Sequence, residues 1–215
     1  MNLQALIDTA QAMVAGGKGL LAMDESNGTC NQRFASAGIP QTVEMRRAYR
    51  ELLLTTPGLG ACISGVILYD ETIRQAKADG TPFVRVARDA GLLVGIKVDA
   101  GAKALASYPG EKVTEGLDGL RERLQAYFEM GARFAKWRGV IAVDGAHSRP
   151  WPASWPTPTP WPLSFSFARA IQHPALDLWA GKDTNGPAAQ QALVHRARCN
   201  SVALKGKYSA AIEVQ

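Results

Sequence analysis

The chain has 215 residues, 47% of them hydrophobic, and a formal net charge of +5. That length suits one domain with a sizeable core, and no apolar run reaches the roughly 18 residues of a membrane span. Scattered Lys and Arg suit a small anionic ligand better than nucleic acid, which calls for a clustered basic face.

Residues 3–14 carry an apolar stripe at helical spacing, Leu3, Leu6, Ile7, Ala10, Met13 and Val14, closed by Gly16-Gly17. No basic segment followed by an apolar core precedes it, so no secretory signal is expected. Lys18–Ser26 reads as a short strand with acids at its C-terminal end, followed by the turn residues Asn27-Gly28. Thr42–Thr55 is predicted helical, with Met45, Tyr49, Leu52 and Leu53 inward and Arg46, Arg47 and Arg50 outward. Cys62–Glu71 and Leu92–Asp99 are further strand-length runs ending in charge, separated by a short crossover segment, Phe83–Asp89. A helix is predicted over 116–130, with Leu117, Leu120, Leu124 and Tyr127 inward, Arg121 and Arg123 outward, and Gly131 as its stop.

The next run, Phe134-Ala135-Lys136-Trp137-Arg138, is the fourth strand. Alternate residues of a strand share a face, so Lys136 and Arg138 point together. Two cations on a buried face need something anionic opposite them. The run therefore asks for a carboxylate partner, a phosphate-bearing ligand, or both.

Between Asp144 and Pro162 stand six prolines and three tryptophans. Neither a helix nor a central strand tolerates that density, so 144–162 reads as a polyproline-like linker. Its Trp-Pro interleaving also suits an SH3-type or WW-type ligand, but a plain connector is the favoured reading. It divides the chain into 1–143 and 163–215. Leu163–Phe167 is a fifth strand. A helix bent near Pro174 runs to about Trp179, and Pro187 opens the last helix. The polar tail from Lys205 is expected to fray. Strands alternating with helices predict a parallel α/β sheet. Charged strand ends suit a (β/α) barrel, but an open doubly wound sheet shows the same alternation, and the pattern leaves both open.

Several motifs together resemble class I fructose-1,6-bisphosphate aldolase. They are Gly17-Lys18-Gly19-Leu20-Leu21-Ala22-Met23-Asp24-Glu25-Ser26, Gly65-Val66-Ile67-Leu68-Tyr69-Asp70-Glu71-Thr72 and Val94-Gly95-Ile96-Lys97-Val98-Asp99. The series continues with Gly116-Leu117-Asp118-Gly119-Leu120, Phe134–Arg138, Leu163–Ala170 and Gly206-Lys207-Tyr208. The resemblance implies an incomplete (β/α)8 TIM barrel of about five parallel strands with flanking helices. It also implies reversible aldol cleavage of fructose 1,6-bisphosphate, in the cytoplasm, without metal or other cofactor. By the same resemblance, Asp24 assists proton movement at the substrate hydroxyls. Lys97 and Lys136 stand beside the Schiff base, Ser26 and Arg33 contact one phosphate, Arg138 is a phosphate ligand, and Arg169 grips the other phosphate. Arginine suits phosphate because its planar fork makes two parallel bonds.

The early motifs resemble barrel strands one to four and the late one strand eight. Strands five to seven, which in the family carry a glutamate acid, the Schiff-base lysine before a proline and a Ser-Gly-Gly phosphate loop, have no counterpart. The ending also lacks the family's terminal tyrosine. Two function classes follow: an aldolase, or a non-catalytic remnant that binds sugar phosphates or a partner. A sharper expectation lets Lys136 itself form the Schiff base, as related barrel aldolases such as transaldolase place their lysine on the fourth strand. Open strand edges invite self-pairing, hence a homo-oligomer, and are expected to leave the faces near Val66 and Ile96 partly uncovered. Asp70, Glu71 and Asp99 are expected to pair with local cations, and His147, His173 and His195 to be structural. Cys30, Cys62 and Cys199 are far apart without metal-ligand spacing, and so are read as reduced thiols. Gly16-Gly17-Lys18-Gly19 precedes a strand, so it is no phosphate loop.

Overall fold

In a computed structural model, which describes residues 2–139, 162 and 164–214, the charge-ended runs pair side by side. In chain order, α1 (Leu3–Val14) leads to β1 (Gly19–Ala22), α2 (Asn27–Ser36) and α3 (Val43–Leu54). Next come β2 (Ile63–Leu68), α4 (Asp70–Ile73), α5 (Phe83–Asp89) and β3 (Leu93–Lys97). The hairpin β4 (Gly101–Ala104) and β5 (Lys112–Glu115) precedes α6 (Leu120–Met130) and β6 (Phe134–Lys136). The C-terminal part supplies β7 (Ser166–Phe167), α7 (Arg169–Trp179), α8 (Gly186–Leu204) and a 3-10 turn, Ala210–Val214.

Five strands form one parallel sheet in the order β6-β3-β2-β1-β7. The late strand thus lies beside the first, as in a barrel whose last strand closes on its first. No closed barrel forms among the described residues: the arc ends at β6 on one side and β7 on the other. Every residue of β2 is buried, and Val66 and Ile96 are at most 1% exposed, against the expectation of uncovered faces there. They lie in one core with residues of the helices packed on the sheet, such as Phe83 and Ala87, and exposure moves outward to Ala135 and Phe167 at the edges.

Helices α5, α3, α8 and α7 touch in that sequence. Their core centres on Trp179, which stacks on Tyr49 at 5.5 Å, with Phe34 edge-on to Tyr49 at 5.7 Å. Gln172 of α7 is fully buried there. It accepts the Tyr49 hydroxyl and donates to the Ala22 carbonyl at 2.6 Å, tying α7 to β1. Pro174 lies inside α7, which runs through it to Trp179, and Pro187 is the second residue of α8, one place later than expected.

Four further expectations need correction. Asn27-Gly28 is not a turn: the Ser26 hydroxyl accepts the Thr29 N–H and starts α2 there. Arg46 and Arg50 face inward, 7% and 2% exposed, because Glu71 and Glu25 at the strand ends await them. In 116–130 only 120–130 is helical, Leu117 and Leu124 are exposed, and Arg123 turns in to donate to the carbonyls of Val98 and Gly116. The tail does not simply fray: its 3-10 turn is held to α8 by an Arg196–Glu213 ion pair. The linker predicted over 144–162, with His147, lies outside the described residues except for Pro162.

Candidate active site

The C-terminal ends of the strands meet around a cleft of about 440 Å³ lined by Asp24, Ser26, Tyr69, Lys97, Asp99, Lys136 and Arg138, among others. Its central contact joins distant strands. Lys136 Nζ donates to both carboxylate oxygens of Asp24, at 2.9 and 2.8 Å. Two strands separate β6 from β1, so on a flat sheet these positions would lie about 14 Å apart, three spacings of roughly 4.8 Å. The ion pair therefore needs the sheet to curl toward a barrel.

Lys97, in register with Lys136 on the neighbouring strand, turns to Asp99 instead. Its Nζ donates to Asp99 Oδ1 at 2.6 Å and to the Asp99 carbonyl at 2.7 Å. The other Asp99 oxygen accepts the backbone N–H of Arg138 at 3.1 Å, which fixes the chain leaving β6. Burial pushes the Asp99 carboxyl up, but Lys97 and the backbone N–H groups of Arg138 and Gly101 outweigh it and hold it below its ordinary value.

Next to Asp24 in the cleft wall, Glu25 is clamped by Arg33 at 2.6 Å and Arg50 at 2.9 Å. Burial pushes Glu25 up, yet the two guanidiniums win and its carboxyl lies below the ordinary range. Glu71 receives both arms of Arg46 at 2.8 Å and the Asn27 amide at 2.9 Å. These pairs anchor α2 and α3 to the strand ends. As expected, Asp70, Glu71 and Asp99 pair with local cations, Asp70 with Arg74.

Of the seven candidate residues, Asp24, Ser26, Lys97, Lys136 and Arg138 line the cleft together. Arg33 does not; it is engaged with Glu25. Arg169 opens α7 next to Ala168, a cleft residue, with an exposed side chain. Sequence reasoning missed Tyr69 and the Glu25 clamp. A Glu directly after Asp24, with Arg33 in the next helix and Arg50 in the one after it, was the available signal.

Parallel strands with charged side chains gathered at their C-terminal ends define an enzyme-like α/β architecture of the (β/α) barrel class. Comparison names the family. The family model described as fructose-bisphosphate aldolase class-I matches residues 5–151 and 152–215, and the chain belongs to that family. A Xanthomonas campestris pv. campestris protein named "Probable fructose-bisphosphate aldolase class 1" is 61% identical over 143 residues, 66% of this chain and 43% of that protein. "Fructose-bisphosphate aldolase 6, cytosolic" of Arabidopsis thaliana is 53% identical over 138 residues, 64% of this chain and 38% of that protein. The chain thus spans less than half the length of these curated relatives. Among solved structures, a Plasmodium falciparum fructose-bisphosphate aldolase in complex with TRAP and a small molecule inhibitor superposes with a TM-score of 0.88 at 28% identity, over 96% of each chain. No helix among the described residues is long and apolar enough to cross a membrane.

Proposed function

We propose that this chain carries a fructose-bisphosphate aldolase site. It binds fructose 1,6-bisphosphate in the cytoplasm and splits it reversibly into dihydroxyacetone phosphate and glyceraldehyde 3-phosphate. The observation that supports this is the convergence of Asp24, Lys97 and Lys136 on one cleft from the ends of three parallel strands. Ser26 and Arg138 in the cleft, with Arg169 beside it, are the phosphate ligands of this reading, and Arg33 joins them only by leaving Glu25.

The reaction needs an amine. Among the described residues the family's Schiff-base strand has no counterpart, and Lys97 is committed to Asp99 at 16% side-chain exposure, whereas Lys136 is 34% exposed. Lys136 Nζ is therefore the amine assigned to attack the substrate C2 carbonyl, with loss of water. The C3–C4 bond then breaks toward C3. The C4 hydroxyl proton passes to Asp24 as the aldehyde leaves, and protonation at C3 and hydrolysis return the ketose phosphate and the free lysine.

A second reading, sugar-phosphate binding without turnover, is favoured by the two-oxygen grip of Asp24 on Lys136. Borohydride reduction in the presence of dihydroxyacetone phosphate separates the two. A mass adduct on Lys136, absent in Lys136→Met, and cleavage of fructose 1,6-bisphosphate are expected from the first. Calorimetric binding without adduct leaves only the second, and neither binding nor adduct removes both. A homo-oligomer, formed through the open sheet edges, completes the proposal, and sedimentation velocity tests it.

A further inference from the structure

Far along the chain from the cleft residues, three side chains of different chemistry converge where α8 meets the C-terminal turn. His195 and Cys199 are four residues apart on α8 and so share one face. The turn brings Glu213 against them, and the ligand atoms of all three lie within 4.8 Å of one another. We propose that His195, Cys199 and Glu213 form a three-ligand site for a zinc-class divalent cation, which fastens the C-terminal turn to α8.

The spacing supports this. The Cys199 Sγ to His195 Nε2 distance is 3.6 Å. A tetrahedral zinc with Zn–S of about 2.3 Å and Zn–N of about 2.0–2.1 Å requires a separation of about 3.6 Å between these two ligands. Glu213, on the solvent side, closes the remaining gap by a small side-chain movement. Cys199 is buried, His195 half-buried and Glu213 exposed, so the site is walled by protein at the thiol and open at the carboxylate. Thiolate, imidazole and carboxylate together suit zinc, and three protein ligands leave a fourth position for water.

Arg196 and Arg198 oppose the cation. Arg196 pairs with Glu213 Oε2, while the Tyr208 hydroxyl donates to Oε1 at 3.0 Å. The metal must therefore displace Arg196. This gives the test its discriminating variant, because Glu213→Gln and Arg196→Gln both break the ion pair but only the first removes a ligand.

The full chain, stripped of metal, is titrated with cobalt(II) and then zinc(II). A stoichiometric thiolate-to-cobalt charge-transfer band, bleached by zinc, is expected. Cys199→Ser abolishes the band. His195→Ala and Glu213→Gln each weaken zinc binding about tenfold or more, whereas Arg196→Gln leaves it equal or tighter. Zinc also slows tryptic cleavage after Lys205 and Lys207, between the two ligand-bearing segments. Circular dichroism confirms that each variant is folded; should Cys199→Ser unfold, alkylation of the wild-type thiol, blocked by zinc, replaces it. No band, a band that survives Cys199→Ser, or equal weakening by Glu213→Gln and Arg196→Gln overturns the site.

Discussion

The middle of the sheet and its two ends are built from similar apolar runs, yet they differ in what covers them. β2 is buried along its whole length, while β7 is exposed at both residues and β6 only half covered. On the far side of β6, Ile96, Leu124, Phe128 and Phe134 line an apolar groove of about 840 Å³. Charge follows the same division. At the β1 end, Glu25 and Arg50 are both nearly sealed from water and fully paired. At the β6 end, Arg138 stands in the open. An apolar strand is secured by its neighbours, and among the described residues three strands have neighbours on both sides while two do not.

Substitutions can break this contrast. The largest effect is expected at the buried end. Glu25→Ala leaves Arg50 enclosed without its carboxylate and should cost about 3–5 kcal/mol in urea unfolding. The same carboxylate, with Asp99, sets the acid limit. Both have folded-state values below their unfolded ones, so their stabilisation is complete above the unfolded range of about pH 4 and is lost as pH falls through the lower folded values. Glu25→Gln should flatten the acid limb of a stability–pH profile.

Next comes a pair of truncations. Leu68→Ala in β2 should cost about 2–5 kcal/mol, whereas Phe167→Ala in β7 should cost less than about 1, since that residue is 41% exposed. Equal losses would mean that β7 is covered after all. A smaller effect is expected for Gly95→Ala. A methyl there would stand 2.3 Å from the Phe134 ring of β6, but an edge-strand ring can swing outward, so the loss should be about 1 kcal/mol. Arg85→Ala, at a 3.6 Å pair open to solvent, should stay within about 0.5 kcal/mol by the same measurement.

The four early strands were legible because parallel strands buried on both faces leave continuous apolar runs, and their charged ends marked the cleft. What stayed hidden depended on partners distant in sequence. Arg46 and Arg50 occupy helix positions that read as solvated, and only Glu71 and Glu25, carried in from other elements, turn them inward. The β4–β5 hairpin carried no signal because Lys103, Lys112 and small residues give it no alternating apolar face. Asn27-Gly28 read as a turn because its own preferences were weighed without the hydroxyl of Ser26. Arg33 matched its motif, yet it is paired with Glu25, eight residues earlier, and does not line the cleft. Local pattern fixed the type of element, and long-range charge pairing decided where the cations went.

The contact between β1 and β7 has a consequence for biosynthesis. Leu20 lies opposite Ser166, so the first strand's outer flank is sealed only once β7 has been made. Until then, the nascent amino-terminal portion must present an unsealed ribbon of amide and carbonyl groups to its surroundings. A ribosome-bound chain halted before Leu163 should therefore associate with holding chaperones, and release once the following helical segment has emerged.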